Sequence, residues 1–577
     1  MVRAWFVSLV LAALTGPWAR CAEPTFTRHV VVSQEGNASD VGREALRHGG
    51  NAIDAAVATA FALAVTLPEA GNLGGGGFIV AFDARSGKVA TLDFRETAPA
   101  VSSPRMYLGD DGGPKPRFRA GAWAAGTPGT VRGLAMAHAR LGKRPWAELV
   151  LPAEKLAREG FEISDDLARS LNRQLAPGAA DSKKGGTRDD FGRLADFPSS
   201  RAAFSRPDNA PWKAGDRLIQ ADLGRTLERI AAHGGDEFYT GQTARLIASY
   251  MKKEGGFVTL ADLKGYEAKM RPSVHTTYRG HEVHGVGPVS SGGVVICQAL
   301  NILEGFDLKA DGPTAPRTLH RVAEAMRRAF FTRAMILGDP DFVTIPTDEL
   351  VSKPYARKLA ASIGDRATRS QDLAPFKVLP AEGDHTTHFS VLDSEGNAVS
   401  MTYTLEEPYG ARCVVDGAGF LLNNEMGDFN VVPGRTDVTG QIGTAANQIA
   451  PGKRMLSSQS PTLVIKDGRA RIVTGSPGGR TIPNTTLWVL LNVLEFGMDA
   501  RKAVDSPRTH HQWFPDRLSL EGRSWPAATL DALAAMGHET RFVAHQGTAN
   551  TIVISPDGRV IEGAADHRRE PARASGD

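Results

Sequence analysis

Two adjacent threonines, Thr386 and Thr387, open the run TTHFSVLD, whose alternation predicts a β-strand. The polar run LPAEGDH precedes them, and the turn residues SEGN and a second run, AVSMTYTL, complete a hairpin pattern. If the bond between His385 and Thr386 were cut, the new α-amine would have an ordinary pKa of about 7.7 to 8.0. It could then act as general base for the hydroxyl of the same residue. A threonine pair also suits any strand start, so the pattern alone leaves both interpretations open.

The alternation also predicts which side chains share a face. Thr386, His388 and Ser390 should face one side of the sheet, while Phe389 and Val391 face the other.

The elements that must position this hairpin are readable from periodicity. Ser39 and Asp40 are N-cap candidates for the first helix. The stretch 178–216 is predicted to be a loop. The polar tail 566–577 is expected to be disordered. Helices flank two sets of strands, which predicts a layered αββα arrangement of mixed α/β (α+β) class. Helix-like runs are VGREALRHGG, AIDAAVATAFALAVT, TVRGLAMAHARLG, DLGRTLERIAAHGG, TARLIASYMKKEGG, APRTLHRVAEAMRRAFFTRAMILG, TTLWVLLNVLEFG and LDALAAMG. Strand-like runs are HVVVSQ, FIVAFD, VATLDFRE, THFSVLD, AVSMTYTL, RMLSSQSPTLVI, ARIVT, TIVIS and VIEGAA.

Two glycine clusters could approach a ligand through the backbone. The SPGG loop follows a strand and precedes a helix beginning near Pro483, so the N–H groups of Gly478 and Gly479 suit an oxyanion hole. A phosphate cradle is the rival interpretation, but no Walker lysine follows. The cluster GNLGGGG, residues 71–77, also lacks nucleotide-binding spacing and predicts a close-packing turn near the core.

Composition limits the class of protein. The 577 residues are 42% hydrophobic and carry a formal net charge of +3 without a dense basic stripe, which argues against nucleic acid. Residues 1–21 have the pattern of a signal peptide cleaved near Cys21–Ala22; a buried helix or an uncleaved anchor is the alternative. No later run reaches about 18 apolar residues, so we expect a secreted, periplasmic protein without membrane contact after cleavage.

Cysteine and histidine usage indicates no metal site. After signal removal only Cys297 and Cys413 remain, and we expect buried free thiols. The run HEVH at 281–284 spaces its histidines three apart in a strand-like stretch, not four apart on a helix. We expect neither a metal nor a cofactor.

Several motifs in a fixed order resemble those of the γ-glutamyltransferases, which are N-terminal-nucleophile hydrolases. The resemblance covers roughly residues 30 to 570. It implies one precursor that cleaves itself into a large subunit, 22–385, and a small catalytic subunit, 386–577. Together these subunits would form one four-layer αββα sandwich. The motifs are PEAGNLGGGGF, DFRETAP, GTPGTV, SSGG, LGDPDF, TTHFSVLDSEGNAVSMTYTL, GFLLNNEMGDF, GKRMLSSQSPTLV and VTGSPGG.

The resemblance also implies roles for individual residues. Thr386 is the nucleophile and Thr404 its hydrogen-bond partner, although strand parity alone leaves Thr404 open as an outward residue. Gly478 and Gly479 form the oxyanion hole. A γ-glutamyl group carries both an α-carboxylate and an α-ammonium, so its pocket needs both signs of charge. The implied carboxylate partners are Arg95, Ser457 and Ser458, and the implied ammonium partners are Glu406, Glu425 and Asp428.

Three positions depart from the pattern of the family. Glu406 stands where many members have asparagine, and Gly427 replaces an acid next to Asp428. The span from Asp428 to Ser457 is long enough for a lid loop, but Thr439 stands where such a lid carries an aromatic gate. Gating by this loop is therefore left open.

The implied activity is cleavage of γ-glutamyl amides, such as glutathione or its conjugates. The γ-glutamyl group would pass to water or to an amino acid or dipeptide acceptor. One alternative is a cephalosporin (glutaryl) acylase-like amidase of the same fold; Glu425 and Asp428 argue against it, because a glutaryl group has no ammonium. Another is an unprocessed, non-catalytic periplasmic binding protein, which the intact Thr386 and Thr404 disfavour. A nucleotide-binding enzyme is a more distant alternative.

Overall fold

A computed structural model describes residues 25–176, 192–373, 386–437 and 439–577. The predicted signal peptide, 1–21, and His385, one side of the predicted cleavage bond, lie outside these ranges. Among the residues that are described, no helix combines the length and apolar character needed to cross a membrane.

The strands and helices alternate along the chain. The strands are β1 Thr25–Phe26, β2 Val30–Ser33, β3 Gly76–Asp83, β4 Lys88–Asp93, β5 Phe161–Glu162, β6 Arg217–Leu218, β7 Lys269–Arg271, β8 Ser273–Tyr278, β9 His281–Val286, β10 Thr387–Leu392, β11 Ala398–Thr404, β12 Thr462–Lys466, β13 Arg469–Thr474, β14 Thr509–His510, β15 Leu518–Glu521, β16 Thr540–Val543, β17 Thr551–Ile554, β18 Ile561–Ala564 and β19 Arg573–Gly576. The helices are α1 Gly36–Arg47, α2 Ala52–Thr66, α3 Thr130–Leu141, α4 Trp146–Glu159, α5 Asp165–Leu175, α6 Pro198–Phe204, α7 Ala221–His233, α8 Asp236–Thr240, α9 Gln242–Glu254, α10 Leu260–Gly265, α11 Gly292–Leu303, α12 Leu308–Asp311, α13 Pro316–Ile336, α14 Thr347–Leu350, α15 Lys353–Ala361, α16 Ser370–Leu373, α17 Ile482–Leu494, α18 Ala500–Asp505 and α19 Ala527–Ala535.

Two seven-stranded sheets form the centre of the fold. One has the strand order β1-β18-β17-β13-β12-β9-β8, and the other β19-β2-β10-β11-β3-β4-β7. Val32 and Val80 of the second sheet share an apolar cluster with Leu463, Val473 and Ile552 of the first, so the sheets pack face to face. Helices α2, α3, α4 and α7 cover the outside of the second sheet, and α11, α13 and α17 cover the first. The predicted αββα arrangement is confirmed.

Both sheets mix strands from before and after Thr386. Strands β10 and β11 lie between β2 and β3 in one sheet, and β12 and β13 lie between β9 and β17 in the other. The two parts of the chain therefore share one hydrogen-bonded framework rather than forming separate lobes.

The buried helix α2 matches the predicted run from Ala52 to Thr66 and is buried along its whole length. Its first turn is closed by a capping box: Asp54 N–H donates to Asn51 Oδ1 at 3.0 Å, and Asn51 N–H donates to Asp54 Oδ2 at 2.9 Å. This pairing satisfies two backbone donors that the helix leaves open at its start.

The predicted hairpin at Thr386 is confirmed, as is the division of its faces. Strand β10 pairs antiparallel with β11, and Phe389 and Val391 pack in the helix-side core. On the other face, Ser390 Oγ donates to Asn550 O at 2.8 Å, and His388 hydrogen-bonds Thr402 Oγ1 at 2.9 Å. Complete burial lowers the pKa of His388 to about 3, so its imidazole is neutral.

The first helix begins earlier than its predicted cap. Glu35, not Ser39 or Asp40, caps α1: its carboxylate accepts hydrogen bonds from the N–H groups of Asn37 and Ala38 at 3.1 and 3.0 Å. The buried Glu35 carboxylate thus caps the helix N-terminus, a role that Ser, Thr, Asp or Asn usually has.

Three further predictions were wrong in part. The stretch 178–216 contains helix α6, whose last residue, Phe204, packs against Tyr409 with ring centroids 6.3 Å apart. The tail forms β19, which pairs with β2. The run RMLSSQSPTLVI becomes a strand only at Thr462, because the backbone at Ser457 is held by the hydroxyl and N–H of Ser291. Each difference depends on contacts that local sequence does not encode.

The prediction of free thiols is confirmed. Cys297 and Cys413 are both free and buried, and they belong to different apolar clusters. Burial raises the pKa of each thiol to about 12, so neither is a reactive thiolate.

Candidate active site

A cavity opens where β10 and β11 meet the loop that leads into α17. Every predicted site residue except Gly478 lines it, and Gly478 directly precedes the lining residue Gly479. The structure thus brings together residues that lie far apart along the chain. The lining residues are Arg95, Arg333, Thr386, Thr404, Glu406, Glu425, Asp428, Ser457, Ser458, Gln459, Gly479, Arg480 and Ile482.

Thr386 and Thr404 face each other across the cavity wall. Thr386 Oγ1 donates to Thr404 Oγ1 at 3.4 Å, which is long for two hydroxyls. Thr404 Oγ1 also accepts the N–H of Glu406 at 2.8 Å, and Glu406 has a left-handed backbone with φ of 81°. This arrangement fixes the Thr404 hydroxyl beside the candidate nucleophile.

The glycine cluster 71–77 supports Thr404 from behind. A Cβ on Gly75 would lie 1.9 Å from Thr404 O, so only glycine fits there. Asn72 Nδ2 donates to the same carbonyl at 2.9 Å. The prediction of a close-packing turn near the core is confirmed, and its packing partner is the strand end that carries Thr404.

The SPGG loop has the backbone expected of an anion-facing turn. Gly478 and Gly479 have φ angles of 131° and 54°, which residues with a Cβ rarely adopt. A Cβ on Gly478 would also meet Thr481 Oγ1 at 2.5 Å. The loop continues through a short 3₁₀ helix into α17. It can therefore present backbone N–H groups to the cavity.

Arg95, Glu96, Glu425 and Asp428 form a charged group that we call the cavity cluster. The Arg95 guanidinium lies 2.7 Å from Glu425 Oε2 and 3.6 Å from Glu96 Oε2, and it also contacts Asp428. Arg95, Glu96 and Glu425 are fully buried, whereas the Asp428 side chain is 29% exposed. Arg95, which is expected to bind a carboxylate, is thus paired with two of the three residues expected to bind an ammonium.

Burial changes the proton equilibria of this cluster. Burial raises the pKa of Glu96 to about 8 against the opposing charge of Arg95. Burial also raises the pKa of Glu425 well above its usual range, opposed by Arg95 and reinforced by Glu96 and Asp428. For Arg95, burial lowers the pKa, but attraction from the three acids outweighs it and the pKa rises. A bound cation would favour the ionised acids.

Neighbouring strands and loops set these side chains in place. Arg95 lies two residues after the end of β4, and its Nε donates to Met455 O at 3.2 Å. Asn423 holds the segment that carries Glu425, because its Oδ1 accepts the N–H groups of Gly126 and Glu425.

The hydroxyl oxygens of Ser457 and Ser458 each accept a hydrogen bond from the protein. Ser458 Oγ accepts a hydrogen bond from Arg333 Nη2 at 3.1 Å, and Ser457 Oγ accepts the N–H of Gln459 at 3.1 Å. A hydroxyl has one proton, so an oxygen that already accepts from the protein can direct that proton to an anion. Arg333 Nε also donates to Ser291 Oγ at 3.1 Å, which fixes the guanidinium.

Sequence reasoning missed Glu96, Arg333, Gln459 and Arg480. Glu96, Gln459 and Arg480 are direct neighbours of predicted residues, so inspection of the flanks of each motif could have found them. Arg333 lies on α13 shortly before the LGDPDF motif and had no comparable signal.

The loop after Asp428 contacts the cavity through Arg480. Arg480 Nη1 donates to Gly440 O at 2.7 Å. Thr439 is not one of the described lining residues; its Oγ1 instead donates to Asp437 Oδ1 at 2.8 Å. A gating role for Thr439 stays untested.

Comparison with known proteins agrees with this geometry. The family model described as Gamma-glutamyltranspeptidase matches residues 38–576. The glutathione hydrolase proenzyme of Escherichia coli (strain K12) is 42% identical over 543 residues, which cover 93% of this chain and 90% of that protein.

Solved structures give the same fold. The cephalosporin acylase of Bacillus halodurans superposes with a TM-score of 0.82 at 24% identity, covering 98% of this chain and 99% of that one. The gamma-glutamyltranspeptidase of Helicobacter pylori superposes with a TM-score of 0.56 at 40% identity. That match covers 60% of this chain and 94% of the other.

Proposed function

Since this chain belongs to the gamma-glutamyltranspeptidase family, we propose that it is a glutathione hydrolase and γ-glutamyltransferase with Thr386 as its nucleophile. The observation that carries the proposal is the single cavity in which Thr386 meets Arg95, Glu425 and Ser458. A hydroxyl nucleophile beside groups of both charges suits a substrate whose reacting carbonyl lies three carbons from an amino-acid head.

Processing would create the base for this nucleophile. Cleavage of the bond between His385 and Thr386 frees the Thr386 amine, which takes the proton of its own hydroxyl. Thr386 lies directly before β10 at the cavity wall, so the new terminus would stay where the hydroxyl already lies. The resulting subunits, 22–385 and 386–577, would remain associated because each contributes strands to both sheets.

The reaction would proceed in two steps. Thr386 Oγ attacks the γ-carbonyl, its amine takes the proton, and the N–H groups of Gly478 and Gly479 stabilise the oxyanion. The ammonium returns that proton to the departing amine, for example cysteinylglycine from glutathione. Water or an amino acid or dipeptide amine then attacks the γ-glutamyl ester and restores Thr386. Thr404 holds the nucleophile in position through the 3.4 Å contact between the two hydroxyls.

The amino-acid head of the donor would occupy the charged side of the cavity. Arg95, Ser457 and Ser458 would receive its carboxylate, and Glu406, Glu425 and Asp428 its ammonium. Two serine hydroxyls that accept hydrogen bonds from the protein, and three acids in the same cavity, support this division. The acids also favour γ-glutamyl over glutaryl donors, since a glutaryl head offers them no cation.

The proposed location is the periplasm, after removal of residues 1–21. This rests on the charged, apolar and small-residue regions of the N-terminal sequence. N-terminal sequencing of the mature protein would show whether the chain begins near Ala22.

Intact mass and N-terminal sequencing test the nucleophile directly. The purified protein should contain two chains, the smaller beginning Thr-Thr-His-Phe, and should cleave γ-glutamyl anilides faster than glutaryl anilides. Thr386→Ala should stay full length and inactive. Thr387→Val is the matched control, because Thr387 Oγ1 is buried without a hydrogen-bond partner among the described residues. A Thr386→Ala protein that still splits before position 386 would refute the assignment.

A further inference from the structure

Gln459 carries a buried side-chain amide without a hydrogen-bond partner at the cavity wall, among the residues that the structure describes. It lines the cavity and is only 1% exposed, yet neither its Oε1 nor its Nε2 has a hydrogen-bond partner among the described residues. Its backbone, in contrast, is firmly held. The N–H donates to Ser457 Oγ at 3.1 Å, and the carbonyl accepts from Ser290 Oγ at 2.6 Å. The side chain therefore starts from a fixed point in the cavity wall, directly after Ser457 and Ser458.

A buried amide without hydrogen-bond partners lowers the stability of the folded protein. Its polar atoms have lost water and gained nothing in return. A ligand that hydrogen-bonds the amide removes this penalty, and a ligand that lacks the matching groups leaves it in place. Sites built in this way discriminate strongly between close analogues. The position of Gln459 therefore bears on specificity.

The surroundings indicate which ligand groups the amide would meet. Gln459 follows Ser457 and Ser458, whose hydroxyl oxygens accept from the protein and whose protons can serve an anion. The acids Glu425 and Asp428 line the same cavity and suit a cation. A primary amide offers two N–H donors and one carbonyl acceptor, so it can serve a carboxylate and an ammonium at once.

We propose that Gln459 is a specificity-determining residue whose side-chain amide hydrogen-bonds the α-amino-acid head of the donor. The Nε2 group donates to the carboxylate and Oε1 accepts from the ammonium. This inference rests on the proposed function, because it takes the γ-glutamyl donor as the ligand. Gln459 is thereby added to the predicted donor-binding residues, as one that hydrogen-bonds both the carboxylate and the ammonium of the head.

Gln459→Met tests this with little change in side-chain volume. We expect the KM for a γ-glutamyl anilide and the inhibition constant of L-glutamate to rise about tenfold, with kcat changed much less. Glutarate and 4-aminobutyrate each lack one charged group of the head, so their inhibition constants should rise less. The empty variant should unfold at a temperature equal to or above that of the wild type, because an unsatisfied polar group is gone.

Gln34→Met is the matched control. Gln34 is also 1% exposed with both side-chain polar atoms unpartnered among the described residues, but it does not line the cavity. This variant should leave the KM and the glutamate inhibition constant at wild-type values. If Gln459→Met does not fold, Gln459→Leu replaces it.

The outcomes separate this inference from the proposed function. Unchanged glutamate binding in Gln459→Met would overturn the role of Gln459, even with a fully active wild type. A lowered unfolding temperature together with an equal rise in all three inhibition constants would indicate a structural role and also overturn it. A wild type without Thr386-dependent turnover would refute the proposed function instead, while direct calorimetry with L-glutamate would still test Gln459.

Discussion

The cavity cluster and a second buried charged group, Arg508, Glu521, Asp566 and Arg568, differ in composition. We call the second group the C-terminal cluster. It contains two arginines and two acids, whereas the cavity cluster contains one arginine and three acids. The C-terminal cluster is charge-balanced when fully ionised; the cavity cluster is not.

The two clusters also differ in how their carboxylates are hydrogen-bonded. In the C-terminal cluster Asp566 accepts from Arg508 Nη2 at 2.7 Å, from Arg568 Nη1 at 3.1 Å and from the N–H of Ala549 at 2.8 Å. In the cavity cluster no carboxylate oxygen of Glu96 or Glu425 accepts a hydrogen bond from the described residues. The pKa of Asp566 is accordingly lowered, as the two arginines outweigh its burial, whereas those of Glu96 and Glu425 are raised.

The contrast separates a structural group from a binding group. Buried charges in a stable framework are paired and hydrogen-bonded, because an uncompensated charge is strongly unfavourable. The cavity cluster has one arginine for three acids, and the ammonium of an amino-acid head would add a second cation. The imbalance at Arg95 therefore agrees with the proposed donor pocket. The following four predictions test whether the two clusters really differ in this way.

The largest effect is expected from Arg95→Ala. It removes the proposed carboxylate partner and leaves three acids without their cation, so kcat/KM for a γ-glutamyl anilide should fall about 1,000-fold, or about 4 kcal/mol. Most of the loss should appear as a higher KM in steady-state assays. An unchanged KM would remove Arg95 from the donor pocket.

Breaking the C-terminal cluster should affect stability instead. Asp566→Asn leaves Arg508 and Arg568 incompletely compensated in the interior, and the free energy of unfolding should fall by about 3 kcal/mol. Urea denaturation measures this change, and the KM of the folded variant should match the wild type. A raised KM with unaltered stability would mean that the two clusters do not have separate roles.

Ligand-induced stabilisation should distinguish the clusters as well. L-Glutamate at about 100 times its Kd should stabilise the wild type and Asp566→Asn by about 2.7 kcal/mol. Arg95→Ala should show little of this shift in thermal unfolding, because its head-binding group is gone. Equal stabilisation of all three proteins would place glutamate outside the cavity cluster.

The smallest effect concerns pH. Because burial raises the pKa of Glu96 from 4.5 to about 8, the folded protein keeps a proton that the unfolded chain releases. This contribution to stability is present below about pH 4.5 and is lost as the pH rises towards 8. Glu96→Gln cannot ionise, so it should gain about 1 kcal/mol relative to wild type from pH 6 to 7. Parallel stability curves for the two proteins would show that Glu96 keeps an ordinary pKa.

Much of the fold was accessible from sequence because its signals are local. The unbroken apolar run of α2 and the alternation in β10 and β11 depend only on residues a few positions apart. Helix α6 and strand β19 were missed because their stability comes from Tyr409 and from pairing with β2. Local composition does not identify such distant partners.

The chemical inventory was likewise determined by the sequence: a threonine opening a strand, the glycine pair 478–479, and charged residues in ordered motifs. Only the tertiary structure decided how these residues meet. Arg95 contacts Asp428 although they are 333 positions apart, and the excess of acid around Arg95 arises from that meeting. The unsatisfied amide of Gln459 is likewise a property of packing. Residue types follow from the sequence, but burial, partnership and charge balance exist only once distant segments are in contact.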